Sequence, residues 1–178
     1  MDFPQNRRIF ADMKRILAIS ISLLCALTAF AQNLAIGERT PPLHPKYRQW
    51  INGHVPQNCE YTYIGFVHSA SIPCIEGVEH IDEIADGIDN LRILIFTKES
   101  EDNVSGWLKL HAAGRSGVAC RSEYAFRSCG VNYAPFGVII DARRRVIWFG
   151  NPKQLSREKL MKLTQSNKKH KIKCRSLK

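Results

Sequence analysis

The sequence predicts an α/β fold in which a central mixed sheet is flanked by helices. Two stretches carry most of that reading. Tyr61 to Val67 (YTYIGFV) is rich in β-branched and aromatic residues. An amphipathic helical stretch and then the continuous apolar run Leu91 to Phe96 (LRILIF) follow it. That is the order of two parallel strands joined by a crossover helix. Late in the chain, Phe136 to Ile140 and Val146 to Phe149 flank the polar stretch Asp141-Ala142-Arg143-Arg144-Arg145. This reads as a hairpin and adds antiparallel strands to the sheet.

Taken in order, the first helix begins near Pro73, a residue suited to a first helical turn. Ile75, Val78, Ile81, Ile84 and Ile88 follow at helical spacing, while Glu76, Glu79, Asp82 and Glu83 occupy the opposite face. Gly87 and Asn90 supply its stop. LRILIF has the look of a strand buried on both faces. A second helix is expected over Asn103 to Ala112, with Val104, Trp107, Leu108 and Leu110 as its apolar members. A short strand follows at Val118-Ala119-Cys120, and a third helix is capped by Ser122 with Glu123 in its first turn. After the hairpin, Ser156 caps a last helix reaching Leu163, with Leu155, Leu160 and Leu163 facing inward. The full order is β-α-β-α-β-α-β-β-α, without internal repeats.

The 178 residues suit one domain with a true core. Three segments are expected: residues 1–31 as upstream extension and signal peptide, 32–166 as the domain, and 167–178 as a basic tail. Lys14-Arg15, the apolar run Ile16 to Ala29 and Ala29-Phe30-Ala31 have the order of a secretory signal peptide. The run of 14 residues is shorter than the ~20 that span a bilayer. Export to a periplasmic or extracellular space is the expectation. Five cysteines remain beyond that segment: Cys59, Cys74, Cys120, Cys129 and Cys174. Disulfides persist in such a compartment, and an odd number leaves at least one unmatched. No C-x-x-C occurs, and no Cys/His grouping has zinc-ligand spacing, so no metal and no cofactor are expected.

The formal charge of +10 is uneven. The last segment, KKHKIKCRSLK (Lys168 to Lys178), holds six Lys or Arg and no acid. A solvated end is the plain reading of this run. Weak contact with a membrane surface is the functional reading kept for it, and nucleic acid is not expected as a partner.

Three places resemble the exported TlpA-type thiol–disulfide oxidoreductases, relatives of the AhpC/TSA proteins, and hence the thioredoxin-like fold. Ile36 to Leu43 (IGERTPPL) with Trp50-Ile51-Asn52-Gly53 is similar to the family's opening I-G-x-x-x-P segment and W-x-x-G. Phe66 to Cys74 (FVHSASIPC) is similar to its F-W-A-S-W-C-x-P-C, with Phe66, Ser69, Pro73 and Cys74 in register. Tyr133-Ala134-Pro135, followed by Asp141, Val146 and Gly150, is similar to its proline loop and the hairpin after it. The resemblance covers Asn33 to Gln165. It implies that Pro135 is a cis-proline beside a redox site formed by residues 71 and 74. It also implies that Ile72, Pro73, Ala134 and Pro135 border the substrate.

Disulfide exchange needs an attacking thiolate and a second thiol that resolves the mixed disulfide. The resemblance puts the attacking position at Ser71 and the resolving one at Cys74. A serine hydroxyl forms no disulfide, so this pair cannot cycle as a dithiol. His68 is near, but the sequence shows no acid to orient it, which leaves a Ser/His hydrolase with little support. Three readings stay open. Cys74 works with Cys120 or Cys129, although the favoured reading of those two is a structural disulfide with each other or with Cys59. Or Cys74 acts alone, as in a one-cysteine peroxidase or an adduct-forming thiol, though the P-x-x-x-[ST]-x-x-C pattern is absent. Or the redox chemistry is gone and the fold binds an extended peptide. The partners expected are accordingly protein thiols or disulfides of the envelope, or such a peptide. Cys74 reads equally as a small core residue, and Ser71 as an N-cap for the helix.

Overall fold

The computed structural model describes residues 34–43, 49–51, 59–112 and 116–165. The expected signal peptide and basic tail lie outside them. The elements are β1 (Gln49–Trp50), β2 (Tyr61–Val67), α1 (Ile72–Ala85), β3 (Leu91–Thr97), α2 (Gly106–Ala112), β4 (Ser116–Cys120), α3 (Glu123–Ser128), β5 (Phe136–Asp141), β6 (Val146–Gly150) and α4 (Arg157–Leu163), with a 3-10 turn at Pro152–Gln154 before α4.

One six-stranded sheet has the order β1-β4-β3-β2-β5-β6. β2, β3 and β4 run parallel, while β5 is antiparallel to β2 and β6 to β5. The hairpin is therefore as expected, with a bulge between Ile139 and Ile140. Alternation along each strand fills two cores. On one face Tyr63, Ile93, Ile95, Val118 and Ile139 pack with Val78, Ile81 and Ile84 of α1, with Leu108 of α2 and with Leu160 of α4. On the other, Ile64, Phe66, Leu94, Phe96 and Val138 pack with Ala125 and Phe126 of α3. Phe66 sits at the centre of that second core, edge-on to Phe96 and Phe126 at 5.7 and 4.9 Å between ring centroids. Each such ring buries surface worth roughly 1.5–3 kcal/mol.

Several boundaries differ from the sequence expectation, each for a local reason. α1 ends at Ala85 rather than reaching Ile88, because Asp86 is extended and Gly87 takes φ +78°; Ile88 is buried beyond the helix end. α2 starts at Gly106 rather than Asn103, since Asn103 and Val104 turn back onto the Ser100 carbonyl. β4 begins two residues earlier than Val118. The two-residue β1 and the 3-10 turn had too little sequence pattern to be expected. Ser122 does not cap α3 with its side chain; its hydroxyl donates to the carbonyls of Ala119 and Cys120 instead. Ser156 does cap α4, accepting from the Lys159 N–H at 3.2 Å. Among the described residues no helix is long and apolar enough to cross a membrane.

Candidate functional site

Parallel strands β2 and β3 end side by side, with Val67 opposite Thr97. The loop His68–Ser71 after β2 therefore lies against the segment after β3. Beyond it, α1 starts at Ile72, with Pro73 in the first turn where its missing N–H removes no intrahelical bond. Ser71 holds the N-cap position (φ −94°, ψ 117°) but makes no side-chain capping bond, contrary to the expectation. The Cys74 and Ile75 N–H groups go to its carbonyl instead, at 3.0 and 3.1 Å. The Ser71 hydroxyl is thus left uncommitted by the cap.

Cys74 is 0% exposed. Its Sγ accepts the His68 backbone N–H at 3.4 Å, so it lies under the loop rather than at its surface. Ile72 and Pro73 stand outside, Ile72 being 68% exposed. The second wall is Tyr133-Ala134-Pro135. The Ala134–Pro135 peptide is cis, the geometry the resemblance implies, and Tyr133 and Ala134 are exposed. Gly77 of α1 makes the approach possible. A Cβ there would lie 2.9 Å from Pro152 Cγ and 3.6 Å from Pro135 Cβ. We expect Gly77→Ala to destabilise despite the ~1 kcal/mol a helical alanine gains. Overpacking a closed contact costs about 1–3 kcal/mol, and the Pro152 ring is stiff and buried. Chemical denaturation checks this: a variant as stable as the wild type would mean that the proline ring yields freely.

The remaining cysteines do not complete a redox pair. Cys74, Cys120 and Cys129 are all thiols and all buried. The disulfide considered for Cys120 and Cys129, with each other or with Cys59, is not formed. Cys120 belongs to the core on the α1 face and Cys129 to the core on the α3 face, so the sheet separates them. Cys59 is disulfide-bonded. Cys120 shares a core with Cys74. Burial, with Glu101 and Glu99 adding to it, pushes the Cys120 thiol up to about 11. At pH 7 only ~10⁻⁴ of such a thiol is the reactive thiolate.

The largest feature that sequence reasoning missed is the carboxylate of Glu99. It accepts the Ser69 N–H at 2.7 Å, the Ser69 hydroxyl at 2.8 Å and the Thr97 hydroxyl at 2.7 Å. Ser69 and Thr97 are 1% and 0% exposed. Burial alone would raise the Glu99 carboxyl. The Ser69 N–H, the two hydroxyls and His68 outweigh it, and the net displacement is downward. Ser69 is held from the other side as well. The Ser105 N–H donates to its hydroxyl at 3.0 Å, and its carbonyl accepts the Ser105 hydroxyl and Trp107 Nε1 at 2.9 and 2.6 Å. His68 thus has an acid beside it after all, Glu99 Oε1 at 3.8 Å from Nδ1. That nitrogen already accepts the Ala70 N–H at 3.2 Å. Among the described residues no hydrogen bond joins the imidazole to the Ser71 hydroxyl, so this is no activated serine. The signal available in the sequence was Thr97-x-Glu99, placed just beyond a strand adjacent and parallel to β2.

Among the described residues no group of His, Cys, Asp and Glu is arranged to hold a metal ion. No family model matches the chain, and no curated protein matches it. The likeness is to solved structures. A thioredoxin-like protein in its oxidized form is 19% identical with a TM-score of 0.55, covering 71% of this chain and 95% of that one. A thioredoxin-like protein from Porphyromonas gingivalis is 18% identical with a TM-score of 0.53, covering 72% and 92%. StoA from Bacillus subtilis is 14% identical with a TM-score of 0.50, covering 70% and 100%. The fold is thioredoxin-like, and at these identities the likeness extends to the fold alone.

Proposed function

We propose that this protein is an exported, thioredoxin-fold docking module of the thiol–disulfide oxidoreductase type. It holds an extended segment of a partner protein between Ile72-Pro73 and Tyr133-Ala134-Pro135 and does not turn over a disulfide there. One observation carries the reading. The only thiol of the site, Cys74, is 0% exposed beneath its loop, and the outer position is Ser71. Exchange begins with an exposed thiolate, and neither residue offers one. The walls support binding instead, since Ile72 and Tyr133 are among the few large apolar side chains left exposed among the described residues, at 68% and 54%. Export accords with the leader pattern at residues 14–31.

A second reading has a specific observation behind it. Cys74 lies in the first turn of a 14-residue helix, at the position of a resolving thiol, and among the described residues its Sγ is held only by the His68 N–H of the loop. In that reading the loop opens and the Cys74 thiolate attacks a disulfide of the partner, forming a mixed disulfide and releasing the partner's other sulfur as a thiolate. Alkylation mapping of the folded protein separates the two. We expect Cys74 to resist alkylation until denaturant is added. Rapid native labelling of Cys74, abolished by Cys74→Ala, would overturn the docking-only reading in favour of thiol chemistry.

A further inference from the structure

The end of the sheet away from Ser71 and Cys74 is a concentration of arginine. Arg143, Arg144 and Arg145 form the β5–β6 turn, and Arg39 faces Arg145 across an isolated antiparallel bridge. All four are exposed. Asp141 accepts from Arg145 through both its oxygens, at 2.7 to 2.8 Å, and from the Arg143 N–H. It is occupied by that one guanidinium. Like charges opposed across strands destabilise a sheet. Arg144 moreover takes φ +63°, where glycine or asparagine would be easier. Arg145 is matched by Asp141, whereas among the described residues the guanidinium groups of Arg39, Arg143 and Arg144 meet no acid.

Other observations give the face a direction and a chemistry. Asp141 is the strand partner of Tyr61, the first residue of β2, whereas the candidate site follows the last. β2 has seven residues, so the two ends lie roughly 20 Å apart. The root of the basic C-terminal segment is on the arginine end too. Thr164, at the end of α4, accepts from Asn90 at 3.0 Å, and the Asn90 carbonyl accepts the Tyr61 N–H at 3.0 Å. From there the sequence runs on into six further Lys and Arg. Glu38, Glu60 and Asp89 are the acids nearby and offset part of this charge. On the same segment as Arg39, Ile36 is 69% exposed, and the Gly37 N–H donates to the Val146 carbonyl at 2.8 Å. An exposed aliphatic side chain beside guanidinium groups suits a lipid headgroup region better than a nucleic-acid backbone, which would call for stacking aromatics.

We propose that this end docks on a membrane surface rich in anionic phospholipid, so that the face around Ile72 and Pro135 points away from the bilayer. The test is co-sedimentation of the full chain with vesicles of phosphatidylcholine, alone or mixed with phosphatidylglycerol, over a salt series. A basic residue at such a surface is worth about fivefold in affinity. The combined variant Arg39→Ser, Arg143→Ser, Arg144→Asn should therefore weaken the phosphatidylglycerol-dependent part of binding on the order of a hundredfold. It leaves Arg145 and Asp141 paired, and circular dichroism confirms that it folds. An unchanged variant would overturn the proposal by assigning the contact to the tail. Equal binding to both vesicle types, or to neither, would also overturn it. Tighter binding to duplex DNA than to phosphatidylglycerol vesicles would replace the lipid with nucleic acid.

Discussion

Ser71→Cys is expected to create a working dithiol where the wild type has none. Position 71 is at the N-cap, partly exposed, with an extended backbone and no side-chain bond to lose. Cys74 is already in the first turn with its sulfur held by the His68 N–H. A new thiol at 71 would have the positive end of the α1 dipole beside it, which lowers a thiol's pKa toward neutrality or below. Its thiolate would attack a substrate disulfide, releasing one substrate thiolate. Cys74 would then displace the second and close the intramolecular disulfide. We expect insulin reduction with dithiothreitol as electron source to rise from the uncatalysed background by on the order of a hundredfold. The doubly substituted Ser71→Cys, Cys74→Ala should fall back to background and accumulate mixed disulfides. If Ser71→Cys folds but forms no internal disulfide, the frame around the site has changed along with the residue. The docking reading would then lose its main structural support.

The docking reading and this gain of activity share one cause, which the sequence displays openly. FVHSASIPC carries its departure from the redox pattern at a single atom of residue 71, and pattern matching finds it. The helix periodicity of Val78, Ile81 and Ile84 and the hairpin around Asp141 were legible for the same reason, because each is a local pattern with a fixed period or turn. Glu99 was not. Its importance comes from β2 and β3 being adjacent and parallel, which brings residues thirty positions apart into one network. No local periodicity marks such a carboxylate, and next to Lys98 and Ser100 it reads as an ordinary surface acid. Ser71 and Ser122 erred in the opposite way. Both occupy N-cap positions that propensity identifies, but Ser71 leaves its N–H groups to a carbonyl and Ser122 turns its hydroxyl back to β4. Cys120 and Cys129 illustrate a third limit. They are close in sequence, yet a strand residue and a residue following the next helix face opposite cores.

Glu99→Ala should be among the most damaging substitutions of a partly buried polar residue in this protein. It would strip acceptors from the Ser69 N–H and from the hydroxyls of Ser69 and Thr97, two residues that are themselves buried. A buried donor left without a partner costs about 1–3 kcal/mol. We expect a total loss of ~3 kcal/mol, read from urea denaturation, and a mobile His68–Ser71 loop that exposes Cys74 to alkylation. Glu99→Gln keeps one acceptor and should lose roughly half as much, and its more useful signature is in acid. The Glu99 carboxyl is held below its ordinary value in the folded chain. Its stabilising contribution is therefore complete above the unfolded-state value, about 4.3. That contribution disappears as pH falls through the lower folded value. The wild type should accordingly lose stability below pH ~4.3, and Glu99→Gln should flatten that loss. It will not abolish it. Burial raises the Asp141 carboxyl, but the Arg145 N–H and guanidinium and the Arg143 N–H hold it down on balance, so it titrates with the same sign. An acid slope identical in wild type and Glu99→Gln would show that the carboxylate does not hold the loop. Cys74 would then owe its burial to the core between α1 and the sheet alone.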